Sequence, residues 1–272
     1  MPFVGFLFVC SLLMLPSWAW AGISYVGGQC GGFAGTTTDQ VITFTLTGGS
    51  DAAPLVGDFV IGAYTIATNN VDSVMIIDAP DTTDYTLLGT ELYANDANDT
   101  NLRTAYRVMP NPTETTLTLS ATGGGTGSVA QAGAYCIKVY RGVHATPLEQ
   151  AVASGTAIDT VLVDPGSLTP TTTGTWVITV GGGATGGTNG FAYSSSDLTA
   201  FQEGRADDNN SAQIGAGHTV WTSGAVAPAT WTWAGSDSTF NSHAWSMIAL
   251  KPASVAGGGC TGAHTLMGVG GC

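Results

Sequence analysis

The sequence is short of charge, and shortest of positive charge. Of 272 residues, 6 are Lys or Arg and 19 are Asp or Glu, a formal net charge of −13; charged residues make up 9% of the chain, against about 25% in an ordinary soluble domain. The cations are Arg103, Arg107, Lys138, Arg141, Arg205 and Lys251. Six scattered cations cannot build the basic surface that phosphate contacts require, which argues against a nucleic-acid partner. Lys and Glu, good helix formers, are scarce, and no window places apolar residues on one helical face, so a helical protein is excluded. A hydrophobic share of 44% is too high for a disordered acidic tail.

Catalytic signatures are missing as well. There is no H-E-x-x-H, no G-x-S-x-G, and no Cys/His pair at zinc spacing, so metalloprotease, α/β-hydrolase and structural-zinc chemistry have no motif to stand on. The glycine runs lack the Lys-Ser/Thr that lets such a loop hold phosphate. His144, His218, His243 and His264 are scattered, and the glutamates are four: Glu91, Glu114, Glu149 and Glu203. A glycosidase needs two facing carboxylates. Glu91, in LLGTELY, is the best placed, but reads as a solvated strand residue. The expectation is a protein that is not an enzyme, with a polysaccharide-active enzyme the least supported alternative.

What the chain does have is 39 Gly and 39 Thr, a composition suited to strands and tight turns. Alternating segments recur at Val41–Thr47, Asp58–Ile66, Ser73–Ile77, Tyr85–Tyr93, Leu102–Met109, Thr115–Ala121 and Ala134–Arg141. Thr160–Val163, Thr175–Val180, Gly190–Tyr193, Gln213–Val220, Thr230–Ala234 and His243–Leu250 continue the pattern. Between them stand turn signals such as Asn69-Asn70, Pro110-Asn111-Pro112, Gly181-Gly182-Gly183 and Asn189-Gly190. About a dozen strands predict an all-β, antiparallel, jelly-roll-like sandwich, each sheet with one core face and one solvated face. In Ala134–Arg141 that alternation sends Tyr135, Ile137 and Val139 inward and Lys138 and Tyr140 outward. Leu148–Ala153 is long enough for one helical turn. No repeat of solenoid or propeller period stands out.

Residues Phe3 to Leu15 are almost wholly apolar, and Pro16 and Ala19-Trp20-Ala21 follow. That is a secretory signal pattern over residues 1–21, although no Lys or Arg precedes the apolar run. The run is too short for a spanning helix, so nothing should cross a membrane once the signal is cleaved. A sandwich over 22–252 and a Gly-rich tail over 253–272 complete the expected organisation, in a secreted or cell-surface protein. Export leaves Cys30, Cys136, Cys260 and Cys272, enough for two disulfides with three connectivities. Cys260–Cys272 would close a short loop and Cys30–Cys136 would tie the N-terminus to a central strand; alternatively Cys136 is a buried thiol.

Two residue groups suggest ligands. Trp231 and Trp233 share a strand face and Trp221 is near in sequence; such rings form a stacking platform for a sugar, or else fill the core. Asp96 and Asp99 in 95–101, and Asp207 and Asp208 in 207–210, cluster oxygen donors of the kind calcium takes. Ordinary turn chemistry is the alternative. No other cofactor is indicated.

The succession Gly57-Asp58-Phe59-Val60, Tyr106-Arg107-Val108, Val139-Tyr140-Arg141-Gly142-Val143 and Ile248-Ala249-Leu250-Lys251-Pro252 resembles that of jelly-roll-like β-sandwich proteins of phages and environmental bacteria. The resemblance implies a virion, tail-fibre-associated or secreted surface protein, and brings no catalytic residue. Two roles fit the chain: adhesion to a glycan or cell-surface polymer through the loops or aromatic patch, or self-assembly of copies of the chain, with its sparse-charge, Gly/Thr-rich surface, into a fibre, coat or surface layer.

Overall fold

The computed structural model describes residues 22–34, 39–68, 72–78, 85–96, 98–123, 132–158, 162–186, 192–207, 210–234 and 242–253. Among them are seventeen strands and no helix. The first half of the chain supplies β1 (Ser24–Ala34), β2 (Gln40–Thr43), β3 (Phe59–Thr68), β4 (Ser73–Asp78), β5 (Thr86–Leu87), β6 (Leu92–Ala94), β7 (Asp99–Val108), β8 (Thr116–Gly123) and β9 (Ala132–Arg141). The second half supplies β10 (Val143–Leu148), β11 (Ala153–Ile158), β12 (Trp176–Gly186), β13 (Ala192–Ser194), β14 (Thr199–Asp207), β15 (Asn210–Val220), β16 (Thr232–Ala234) and β17 (Ser242–Pro252). Every pairing is antiparallel. The fold is an all-β antiparallel sandwich, as expected. The helical turn expected at Leu148–Ala153 is instead the bend between β10 and β11.

One large sheet runs β1-β9-β3-β7-β5, with β6 also on β7; the other runs β10-β17-β12-β15-β14, with β11 also on β17. They pack face to face over a core that includes Phe59, Ile61, Leu102 and Tyr140 from one side and Ile178, Ile214 and Ile248 from the other. The outer face of the first sheet is covered by the small sheet β2-β8-β4, through Val60, Tyr64, Met75, Leu117 and Ile137. The outer face of the second is covered by β13-β16 and neighbouring loops, through Trp231, Tyr193, Leu168 and Val226. The expected solvated face is therefore absent from the central strands, and β3 is buried along its whole length. Lys138 and Tyr140, expected to point outward, are 1% and 0% exposed and face the other large sheet. Once both faces of a strand are covered, alternation no longer separates core from solvent.

The two halves repeat one another. Taking β1, β3, β5, β7, β9 and β10, β12, β14, β15, β17 as five successive strands each, both large sheets run first, fifth, second, fourth, third. In both, the connections from second to third strand and from fourth to fifth supply the paired outer cover, β4 with β8 and β13 with β16. Registers coincide: Phe59 faces Val108 and Tyr140 as Trp176 faces Val220 and Leu250. Each of those strands is entered through a left-handed glycine, Gly57 at φ 84° and Gly174 at φ 85°. The bonds Met109 N–H to Asp58 O (2.8 Å) and Trp221 N–H to Thr175 O (2.9 Å) also correspond. A single jelly-roll circuit would pass strands of both halves through both large sheets; here each large sheet is built from one half alone.

Local chemistry explains the residues that looked like motifs. Asp58, 1% exposed, takes Arg141 Nε on Oδ1 (2.7 Å) and Arg141 Nη2 on Oδ2 (2.9 Å), and Arg141 also reaches Asp51 (3.0 Å). At the equivalent corner of the second half Glu149 accepts from Thr171 N–H and Oγ1, Thr172 N–H and Thr175 Oγ1. Burial pushes this carboxyl up, but those four bonds outweigh it and hold the group at about 2. Cys30 and Cys136 stand opposite one another in β1 and β9 and form the expected disulfide, with Sγ–Sγ 2.06 Å; Cys260 and Cys272 lie outside the described residues.

Gly181-Gly182-Gly183, read as a turn, lies inside β12. A Cβ on Gly181 would meet Val163 Cγ1 at 2.7 Å and Trp231 at 2.9 Å, and one on Gly182 would meet Thr65 Cβ at 2.8 Å. The glycines are there so that layers can close on both faces of the strand. Gly181→Val should therefore destabilise the fold by about 1–3 kcal/mol through overpacking, measured by denaturant unfolding. Arg141→Ala should cost about 2–3 kcal/mol by stranding the buried Asp58 carboxylate, and Asp58→Asn made together with it should recover part of that loss.

Candidate functional site

The tryptophans separate by environment. Trp231 is 1% exposed, packed edge-on against Tyr193 (centroids 5.6 Å) and Phe201 (5.1 Å) over the glycines of β12 and β15. It fills the core and is not a stacking platform. Trp233 pairs with Tyr193 across β13 and β16, and its side chain lies outside the described residues. Trp221 is different. It stands half-buried just past β15, its indole N–H donating to Gly224 O at 2.8 Å. With Asp197, Thr222, Ser223, Val226 and Pro228 it lines an open concavity of about 220 Å³. Asp197 is pre-oriented there: Oδ1 accepts from Ser195 Oγ (2.8 Å) and Oδ2 from Ala229 N–H (2.7 Å).

A second concavity, of about 390 Å³, is lined by residues 110–116. It follows β7 as the Trp221 concavity follows β15, and these are the equivalent strands of the two halves. Tyr140 against Trp176 (5.8 Å) shows that the corresponding ends of the large sheets lie together, so both concavities open at one end of the sandwich. The first is lined by an indole and the second by prolines and threonines.

Compared with family models, with curated proteins and with solved structures, the chain shows no match. Function rests on the site itself.

The carboxylate of Asp99 is taken up within its own segment. Asp99 is fully buried, with Tyr93 Oη donating to Oδ2 (2.7 Å) and Asp96 N–H donating to Oδ1 (2.7 Å), an arrangement of turn chemistry. The side chain of Asp207, and Asp208 entirely, lie outside the described residues. Among the described residues no three His, Cys, Asp or Glu side chains are grouped to hold a metal. The glutamates are each tied to partners of their own. Glu91, expected to be solvated, is 17% exposed and is held by Arg103 (3.5 Å) and Met75 N–H (3.0 Å). Its burial raises its pKa, the bond from Met75 and the charge of Arg103 opposing. Glu114 pairs with Arg107 (2.7 Å), and Glu203 accepts from Tyr193 N–H (2.8 Å) and Gln213 Nε2 (2.5 Å).

A polar cluster between the large sheets escaped the sequence reading. Lys138 Nζ donates to Ala200 O and Gln202 Oε1, both at 2.8 Å, and lies 3.5 Å from Tyr25 Oη. Burial alone brings this ammonium down to about 7. Its acceptors sit where the register of β14 breaks between Thr199 and Gln202, and Ala200 there has φ 50°. Beside it Tyr25, Tyr140 and Trp176 surround His218, whose ring lies 4.4 Å from that of Trp176 and whose Nδ1 is 3.4 Å from Tyr140 Oη. A signal was available: Lys138 is two residues from Cys136 and so shares its face, and a disulfide to β1 would have placed that face in the interior.

Burial first, and the charge of Lys138 second, hold His218 down to about 4 from 6.5. The unfolded chain then binds the additional proton between those values, so stability falls as pH drops from about 6.5 to about 4 and flattens below. His218→Phe should remove about 2–3 kcal/mol of that pH dependence, measured as the difference between wild-type and variant unfolding free energies at pH 4 and pH 7.

Proposed function

We propose that the protein is a non-catalytic surface protein, secreted or carried on a virion, that adheres to a glycan through the concavity beside Trp221. The carrying observation is that Trp221 is left half-exposed over a cavity of about 220 Å³, room for one sugar ring, with a fixed carboxylate and three hydroxyl-bearing residues, Thr219, Thr222 and Ser223, along its wall. An immobilised indole face with oriented acceptors and donors is how a polyol is held: the ring stacks and the hydroxyls are counted. Both the indole and Asp197 are fixed before any ligand arrives, so little ordering cost falls on binding. The leader-like residues 1–21 support export, and the scarcity of cations supports a neutral rather than an acidic polymer as partner.

A second reading, self-assembly into a fibre, coat or surface layer, draws on the outer face of β2-β8-β4. Val41 and Val74 are 64% and 57% exposed there, Val41 opposite Thr118 of β8, which also faces Asp78 of β4, an exposed aliphatic strip suited to packing against a copy.

A glycan array probed with wild-type protein and Trp221→Ala separates the two. Adhesion predicts a bound glycan class whose affinity the substitution lowers about tenfold or more. No glycan bound, or binding that survives the loss of Trp221, overturns the assignment, and a discrete oligomer in light scattering would then favour assembly.

A further inference from the structure

The Lys138 cluster is remote from the Trp221 concavity in role and owes nothing to the glycan reading. Lys138 rises from β9, in the large sheet of the first half, and Gln202 from β14, in that of the second. Their side chains meet between the sheets with Nζ 2.8 Å from Oε1. The carboxamide cannot turn away, because its Nε2 donates to Thr47 Oγ1 (3.0 Å) and Gly28 O (3.4 Å). The space for this meeting is left by Gly28, where a Cβ would run into Gln202 Oε1, Tyr25 Oη and Lys138 Cδ. Lys138 is 1% exposed, and among the described residues no carboxylate is paired with it. A buried amine fixed against a half-buried carboxamide, with no carboxylate paired to it among the described residues, is placed for reaction as much as for hydrogen bonding.

We propose that Lys138 and Gln202 join in an intramolecular isopeptide bond that staples the two halves of the sandwich. The neutral amine of Lys138 attacks Cδ of Gln202. A bond forms between Nζ and Cδ, and the bond between Cδ and Nε2 breaks. Nε2 leaves as ammonia, carrying the proton that Nζ gives up, and Tyr25 Oη, 3.5 Å from Nζ, is the hydroxyl placed to pass it on. No oxidant, nucleotide or metal enters the balance. Burial supplies the neutral amine at ordinary pH, the means by which desolvated lysines become nucleophiles. Amides resist aminolysis in solution, and fixed juxtaposition is the remedy: oriented intramolecular partners reach effective concentrations of about 10⁵–10⁸ M. The half-exposed side of the carboxamide, where Nε2 donates to Thr47 Oγ1 and Gly28 O, lets the departing ammonia reach solvent.

Mass spectrometry of the reduced, denatured wild-type protein decides the matter without any variant. The expected result is an intact mass one ammonia below that of the sequence, and a branched peptide in trypsin digests that contains both Lys138 and Gln202 with no cleavage after Lys138. Lys138→Met, close in size, should restore the full mass. A full wild-type mass, with the Lys138 amine open to acylation once denatured, overturns the proposal. So does an ammonia deficit mapped elsewhere, for example to a succinimide at Asn189-Gly190. Neither outcome touches the assignment of Trp221.

Discussion

Everything in the structure depends on burial between two large sheets, each drawn from one half of the chain. That contact removes the inner face of both sheets from water at about 25 cal/mol per Å² of apolar surface. Neither half could keep it alone, since Phe59, Ile61 and Leu102 of one share a single core with Ile178, Ile214 and Ile248 of the other. The outer layers follow as a second requirement. Central strands such as β3 and β12 are apolar on both faces, so each large sheet also needs a lid on its far side, and each half makes its lid from its own connections. Four layers of strand in a chain this size demand close approach, and the glycines inside β12 and β15 provide it.

Four of the six cations are consumed by the same architecture. Arg103, Arg107 and Arg141 are each committed to a carboxylate, two of them largely buried, and Lys138 is locked between the sheets. These pairs hold corners and strand ends in place. The successions around Gly57-Asp58 and Val139-Tyr140-Arg141 are thus the chemistry of a corner, a left-handed glycine followed by a buried aspartate with its arginine, and such chemistry specifies where a strand begins without indicating what the protein binds.

Strands with β-branched and aromatic alternation, such as β7, β9 and β17, were legible in the sequence, as were the all-β class and the Cys30–Cys136 pairing. Strands that carry glycine or no alternation were not. β1, SYVGGQCGGFA, has four glycines in eleven residues and no periodic signal, because a strand squeezed between neighbours is selected for absence of side chains. β14 was missed because its bulge breaks the period at Ala200. Trp231 and Trp221 looked alike on the page; one is core because glycines lie beneath it, the other half-exposed because it follows a strand end. Lys138 was misassigned for the plain reason that alternation gives two faces and does not say that both are covered. The long repeat stayed hidden because strand order and register preserve it while most residue identities have diverged, Gly57–Ile61 and Gly174–Ile178 being a short stretch where it still shows.

The repeat gives the molecule a spare. Gly57 and Gly174 open equivalent strands, and the loops after β7 and β15 close equivalent concavities at one end of the sandwich. The backbone hydrogen bonds that anchor these loops among the described residues, such as Phe44 N–H to Thr115 O and Val226 N–H to Leu168 O, run within one half, so either loop can lengthen, shorten or change its side chains while the other keeps its shape. A scaffold of this kind can try out a new specificity at residues 110–116 without first surrendering the one proposed for Trp221, which is the freedom that duplicated genes have, placed within a single chain.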